Sequence, residues 1–539
     1  MRKFIKMASI KQSGKFLLFC LIFIAALSSC NNFIESEHTE ILGIQSKADF
    51  VSASEGAEDL FMHLLLTNWY QDINYFADDR TYKNSNPYET YYTNSSSSVH
   101  SNSQDDVNER NWIYLYQFIL SVNNILQQYN NSKFDLDDID VKIGELLFIR
   151  AYCYFRLVRI YGNLPIVEDT KIDYEKPKSS FSEIYEFIEN DLKKAWQLLP
   201  FDTGKHTCLA IDKGTVKGLL AELYLSWAGY PAMDATKYQQ AAIEAKGLID
   251  SSSYYGLNFI TDFKDLWTDG LINTGEDIFC FYVNELNEFN PSWYPYFYTY
   301  VESEYTWSFY SIDKTGYTNG PEYFQVEANF YNKFPKGYRK DITFFTTIYV
   351  PEDKFNRIER DTGFFFINQV NDDVRPIYRK FFIDTIRYKP DSEFYYAFSP
   401  KMCFLKYTQT ILTYAEALSR TGIITEETYN LVNQIRRRAN HLPLDLPSKF
   451  DLPYGLSSQA FADSVVQERA WELAGEPENR WFDLVRLEMV EEVYASKMEG
   501  DEEPFFPQNV NGKYFFEIPE YDIRLNPNLN MCANELIIK

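Results

Sequence analysis

Leu147-Phe148-Ile149-Arg150-Ala151-Tyr152-Cys153-Tyr154-Phe155-Arg156-Leu157-Val158 is the stretch on which the fold turns. It lies in a helical pattern over about 139–161 that is apolar nearly all round, and a helix without a polar face belongs inside a bundle. Gly162 and Pro165 supply the stop, since glycine closes a last turn and proline cannot extend it. On the N-terminal side, Trp112, Leu115, Tyr116, Ile119, Val122 and Leu126 recur at three- and four-residue steps, one face of a second helix. A further helix is expected from about Ser54 to Tyr70. On the C-terminal side the same periodicity predicts helices near 181–199, 212–229, 235–250, 408–421, 425–440 and 457–475.

Two of these pairs look related. Gly218-Leu219-Leu220-Ala221-Glu222-Leu223-Tyr224 leads into Tyr238 to Ile249, and Thr413-Tyr414-Ala415-Glu416-Ala417-Leu418 leads into Glu427 to Ala439. Each is a helix with small residues on its packing face, a short turn and a second helix. That arrangement resembles tetratricopeptide units, which bury their apolar faces only by stacking on neighbours. Between about Ser251 and Tyr407 helical periodicity fades while aromatics, prolines and turn residues accumulate. Long loops, short strands and short helices are expected there, laid over the helical scaffold. Thr93 to Gln104, rich in serine and asparagine, is a loop.

The N-terminus has an address of its own. Arg2, Lys3, Lys6, Lys11 and Lys15 precede the apolar run Phe16 to Leu27, and Ser28, Ser29 and Cys30 follow. A basic segment, an apolar core and small residues before a cut make a secretory signal, here 1–29. The run is too short for a spanning helix, which takes roughly 17–25 residues. Leu27-Ser28-Ser29-Cys30 is similar to the lipobox of bacterial lipoproteins. In that reading Cys30 becomes the lipidated N-terminus, with 30–47 as a flexible acidic tether and 48–539 as a single domain. That domain divides into a helical part (48–250), an aromatic-rich irregular part (251–407) and a second helical part (408–539).

The full chain carries a net charge of −25, and losing the five basic residues of the signal takes it to −30. So acidic a surface repels nucleic acid and anionic lipid, and it suits a neutral or zwitterionic ligand or simply solubility in a crowded surface layer. The cysteines after the signal (Cys30, Cys153, Cys208, Cys280, Cys403, Cys532) are scattered, and so are the five histidines. The spacing predicts neither a metal site nor a disulfide framework. Cys153 reads as a core residue.

Three segments carry a family resemblance. They are the 147–158 stretch with Tyr161-Gly162-Asn163-Leu164-Pro165, then Tyr414-Ala415-Glu416-Ala417-Leu418 with Asn433-Gln434-Ile435-Arg436-Arg437-Arg438-Ala439. The third is Glu468-Arg469-Ala470-Trp471-Glu472-Leu473-Ala474-Gly475-Glu476 with Arg480-Trp481-Phe482-Asp483-Leu484-Val485-Arg486. In this order they resemble the signature of the SusD-like (RagB/SusD) family, and Ile518-Pro519 through Asn526-Pro527-Asn528-Leu529 is similar to its close. The resemblance runs from about residue 50 to the end. It departs at Pro477-Glu478-Asn479, which reads as local variation in a loop. From the residues themselves, Arg150, Arg156, Arg469, Arg480, Glu416, Glu468, Glu472 and Asp483 are expected to pair half-buried between helices. Such pairs fix packing and carry no chemistry.

The resemblance implies a mainly α, tetratricopeptide-like scaffold with a large irregular insertion. It also implies a lipoprotein on the cell surface of the outer membrane. Such a protein captures oligosaccharide for a SusC-like TonB-dependent transporter by reversible binding, with no catalytic residue and no cofactor; some relatives carry a calcium ion, but no Asp-rich loop here has the EF-hand spacing and no metal ligand is assigned. The sequence itself offers Pro291 to Tyr310, where ten of 20 residues are aromatic. Trp293, Tyr294, Tyr296, Tyr298, Trp307 and Tyr310 are candidate ligand platforms, because indole and phenol rings stack on the C–H faces of sugars while the phenol hydroxyl bonds the rim. The same rings would equally pack the irregular region against the helices or a partner. Tyr75, Asp78 and Arg80 of an early loop are added because the family's ligand sites often combine such a loop with the central insertion. Three rival readings stand beside glycan capture: a peptide- or glycopeptide-binding lid, a surface glycoside hydrolase, for which no carboxylate pair stands out, and a purely structural repeat protein that recruits partners through its helices.

Overall fold

A computed structural model describes residues 44, 46–68, 77–79, 107–131, 139–201, 211–267, 275–282, 326–345, 377–378, 380, 382–387, 395–398, 401–497 and 514–530. The first half is a run of helices: α1 (Lys47–Asn68), α2 (Val107–Asn131), α3 (Asp140–Tyr161), α4 (Phe181–Leu198), α5 (Lys213–Ala228) and α6 (Lys237–Asp250). Each packs on the next. The all-round apolar helix is central as its pattern requires, for every residue of α3 from Ile143 to Val158 is buried. Gly162 follows at φ 76°, and its amide returns to the Val158 carbonyl. Cys153 is a buried free thiol.

Helix starts are set by side-chain caps. Ser180 Oγ accepts from the Glu183 amide at 3.3 Å while a Glu183 carboxylate oxygen accepts from the Ser180 amide at 2.7 Å, a reciprocal box opening α4. Asp212 opens α5 in the same manner. One boundary differs from expectation. α1 begins already at Lys47 rather than near Ser54, because Phe50 is buried against Tyr129 of α2. Ile44, in the stretch read as tether, is buried too and gives its amide to Gln128.

The middle of the chain is short elements: β1 (Asp277–Tyr282), α7 (Ala328–Lys333), α8 (Tyr338–Thr343), β2 (Phe344–Phe345), β3 (Ile377–Tyr378), β4 (Phe382–Arg387), β5 (Tyr395–Phe398) and β6 (Lys401–Lys406). They form three antiparallel two-stranded ribbons, β1 with β6, β2 with β3 and β4 with β5. The register of the first ribbon sets Cys280 opposite Cys403, and the two form a disulfide across 123 residues of sequence. This corrects the expectation of no disulfide. Spacing along the chain cannot show a pair that only strand pairing brings together.

The second helical part comprises α9 (Tyr407–Arg420), α10 (Glu426–Ala439), α11 (Ser458–Glu472), α12 (Arg480–Arg486), α13 (Val490–Ala495) and α14 (Glu520–Leu525). α9 packs against α5, α6, α10 and α11. The two helix pairs read as related therefore stack on one another and share the main core. A second, smaller core joins Trp267, Phe330, Phe334, Phe344 and Tyr378 to Ala470 and Ala474 of the α11 segment. Through it the short elements rest on the helices.

The charged residues of the signature segments are paired, but more deeply than expected. Glu416 and Arg438 are fully buried, and Arg469, Glu468 and Glu472 nearly so. Glu468 takes Arg339 and Arg436, each at 2.7 Å; Glu472 takes Arg339 and Arg438, each at 2.6 Å. On the other face of α11, Arg469 binds Glu222 at 2.7 Å and Asp483 at 3.0 Å. Arg150 pairs with Asp191 at 2.7 Å. The Pro477-Glu478-Asn479 departure is more than loop variation, since Glu478 takes both Arg156 and Arg159 of α3, the latter at 2.8 Å. Between Phe155 and Phe482, 3.8 and 3.9 Å from its guanidinium, Arg159 is held below its usual pKa, at about 10, chiefly by burial.

Candidate functional site

Of the candidate site residues, Tyr75, Arg80, Trp293, Tyr294, Tyr296, Tyr298, Trp307 and Tyr310 lie outside the described residues, as does Cys30. Asp78 is described, and with Asp79 it marks where three distant parts of the chain meet. Its carboxylate takes the Arg480 guanidinium in a two-pronged pair, Nε at 2.5 Å and Nη2 at 2.7 Å. The neighbouring Asp79 carboxylate accepts the Gly475 amide at 2.7 Å, and its backbone carbonyl accepts the Tyr378 hydroxyl at 2.7 Å. The early loop is thus pinned to the central insertion and to the turn after α11.

Gly475 makes this approach possible. It sits at φ +77°, a left-handed conformation that costs a side-chain residue energy, and an added Cβ would lie 2.7 Å from the Tyr378 ring. The next residue extends the junction. Glu476 receives Lys380 of the insertion at 2.7 Å and Lys406 of β6 at 2.9 Å, all three buried. The Trp267 ring closes the cluster, 3.8 Å from the Lys406 ammonium and 4.7 Å from that of Lys380. Burial, with the second ammonium beside it, depresses the Lys380 pKa to about 8 although Glu476 opposes the shift.

This arrangement holds and does not react. The carboxylates of Asp78, Asp79 and Glu476 are each committed to donors, so none is offered as a general acid or base. A different carboxyl is perturbed: burial and the neighbouring Glu145 raise Glu58 to about 8, against the pull of Lys142 at 2.9 Å. Glu145 lies 2.9 Å from the same ammonium. Asp277, Cys280 and Cys403 place ligand atoms within 4.8 Å of one another, but the two sulfurs are bonded and neither is a thiolate. Among the described residues no helix is long and apolar enough to cross a membrane. Sequence reasoning missed Lys380, Lys406 and Trp267, which no motif connects. Gly475 and Glu476 stood inside a quoted signature segment, but their partners could not be read there.

The comparisons with known proteins agree with this architecture. The family described as "Starch-binding associating with outer membrane" matches residues 58–225, and the SusD family matches 367–534. A SusD-like protein of Formosa agariphila is 24% identical over 437 residues, covering 78% of each chain. A SusD-like protein of Bacteroides ovatus is 30% identical over 133 residues, 23% of each chain. Among solved structures, a SusD homolog of Bacteroides thetaiotaomicron superposes with a TM-score of 0.68 at 20% identity, covering 92% of this chain and 99% of that one. A laminarin-binding SusD-like protein superposes at 0.63 with 19% identity over 89% and 97%. A structure solved with xylogluco-oligosaccharide does so at 0.61, also with 19% identity, over 89% and 98%. The chain belongs to the SusD-like family, and its mainly helical scaffold is the SusD fold.

Proposed function

We propose that this chain is a glycan-binding lipoprotein of the outer-membrane surface, anchored through Cys30, that captures oligosaccharide and passes it to a SusC-like TonB-dependent transporter. Family membership carries the reading, supported by solved structures of the same fold, one named for laminarin binding and one holding xylogluco-oligosaccharide. The structure adds support of its own kind, for the early loop is tied through Asp79 and Tyr378 to the insertion that carries the 291–310 aromatics. The work is reversible binding: rings of Trp293, Trp307 and their neighbours stack on sugar faces, and no bond is broken. The signature carboxylates are spent on arginines and lysines, so they supply no hydrolytic pair.

Calorimetric titration of the soluble domain lacking Cys30, against oligosaccharides and peptides, tests this. One glycan class should bind, and Trp293→Ala or Trp307→Ala should weaken it. Binding to peptides alone, or to nothing in the panel, would overturn it.

A further inference from the structure

A small cavity lies where α3, α4, α5 and α12 converge, with an interior of about 20 Å³, room for one small occupant. Arg159 of α3, Tyr185 of α4 and Ser226 of α5 line it, with Arg486 of α12 alongside. Phe482 and Val485 add apolar wall, and no carboxylate side chain is among the lining residues.

Three polar groups at this cavity have hydrogen-bonding capacity left over. Arg159 gives its Nε–H to the Phe155 carbonyl at 3.1 Å and an Nη2–H to Glu478 at 2.8 Å. Its Nη1 amino group is left without an acceptor among the described residues, although the side chain keeps only 10% of its surface. Phe155 and Phe482 cover the faces of the guanidinium, so only its edge is free for a ligand. The Tyr185 and Ser226 hydroxyls likewise bond no described residue, and both side chains are buried. All three groups stay open to a water-sized molecule, unlike the sealed Nε atoms of Arg438 and Arg469 in the neighbouring ion pairs.

The character of these groups selects the occupant. Buried polar groups need partners; a guanidinium only donates, and two hydroxyls can each turn a hydrogen toward the same acceptor. Burial raises the Tyr185 pKa against the pull of Arg159, so the phenol stays a neutral donor. Arg159 binds a single carboxylate, Glu478, and shares it with Arg156. Its positive charge is therefore only partly met, which is costly in a buried place. A cation is repelled there, and a sulfate, a phosphate or a sugar ring is too large for the space. A single-atom anion satisfies size, charge and donors together.

We propose that this cavity is a chloride site, the anion accepting from Arg159 Nη1, Tyr185 Oη and Ser226 Oγ and tying α3, α4 and α5 together at their junction with α12. It stands apart from the glycan reading, because none of its residues is offered to sugar.

Bromide replaces chloride and scatters anomalously, so crystals of the protein grown in sodium bromide test the site directly. An anomalous peak should stand within hydrogen-bonding reach of Arg159 Nη1, Tyr185 Oη and Ser226 Oγ. In solution, Tm should rise along a saturable curve as chloride replaces gluconate at constant ionic strength. Tyr185→Phe and Ser226→Ala each remove one hydroxyl and keep the packing. Each should raise the chloride concentration at half-effect about tenfold, the worth of one hydrogen bond to a charge, and together they should remove the bromide peak. An ordered water at the site in place of bromide overturns the proposal. So does a Tm indifferent to chloride, or a chloride effect that both variants leave unchanged.

Discussion

Glu416→Gln removes one buried charge and leaves the shape of the side chain. Glu416 is fully buried in α9, with Arg486 on both oxygens at 2.7 Å and Arg420 at 2.8 Å. Burial pushes its pKa up, but Arg486 and then Arg420 outweigh burial and bring it from 4.5 down to about 2. At about 1.4 kcal/mol per pKa unit, that difference is worth about 3 kcal/mol of stability at neutral pH. The figure agrees with the 3–5 kcal/mol typical of breaking a buried pair, since Arg486 would keep only Asp483, 2.8 Å away.

The sign follows from the depressed carboxyl. Its contribution is complete above pH 4.5 and is lost as pH falls toward 2. Urea titrations followed by circular dichroism, across pH 2 to 7, measure both effects. The variant should lose about 3 kcal/mol at pH 7 with an unchanged denaturant slope, and its acid limb should be shallower than the parent's. Glu416→Leu with Arg486→Met, which removes both charges, should cost far less than either change alone. A loss below about 1 kcal/mol for Glu416→Gln, or an acid limb identical to the parent's, refutes the assignment of this pair as a main tie between α9 and α12.

Gly475→Ala should cost more than 1 kcal/mol, roughly the left-handed penalty alone, because its Cβ would also meet the Tyr378 ring. Limited proteolysis should then cut near Tyr378 sooner, and an unchanged digestion pattern contradicts the pinned junction. Cys280→Ser with Cys403→Ser should lower stability by up to about 5 kcal/mol, the loop-closure entropy of so long a segment, while helical circular dichroism persists. Non-reducing peptide mapping of the parent should recover the two cysteines linked, and recovery as free thiols contradicts the ribbon register. Titration of stability should also show two limbs from groups buried against their preference. Glu58, raised from 4.5 to about 8, makes stability fall as pH rises across that interval. Lys380, lowered from 10.5 to about 8, makes it rise again from pH 8 to 10.5. Glu58→Gln should abolish the first limb and Lys380→Met the second, and limbs that survive these changes refute the assignments.

The helices were legible because their signals are local. The periodicity of 147–158 and the glycine after Tyr161 each act within a few residues, and the elements start and stop close to where these signals lie. The early start of α1 escaped because Phe50 earns its burial only against Tyr129, a contact between helices. The depth of the ion pairs escaped for a related reason. Arg438 and Glu276 read as ordinary charges in sequence, and their full burial rests on their pairing across 162 positions, with Glu472 on the same guanidinium.

By itself the sequence determined what neighbours along the chain decide: the apolar centre at α3, the two helix pairs, the family signature and the acidic net charge. Tertiary structure alone decided what distant residues share. It joined Cys280 to Cys403, set two lysines on Glu476, tied Asp79 to Gly475 and Tyr378, and left a small cavity where α3, α4, α5 and α12 converge. Helix periodicity and capping are short-range and written in one dimension. Ion pairing, disulfide formation and cavity shape depend on distances of a few ångströms between residues far apart in the chain, and only the folded state sets those distances.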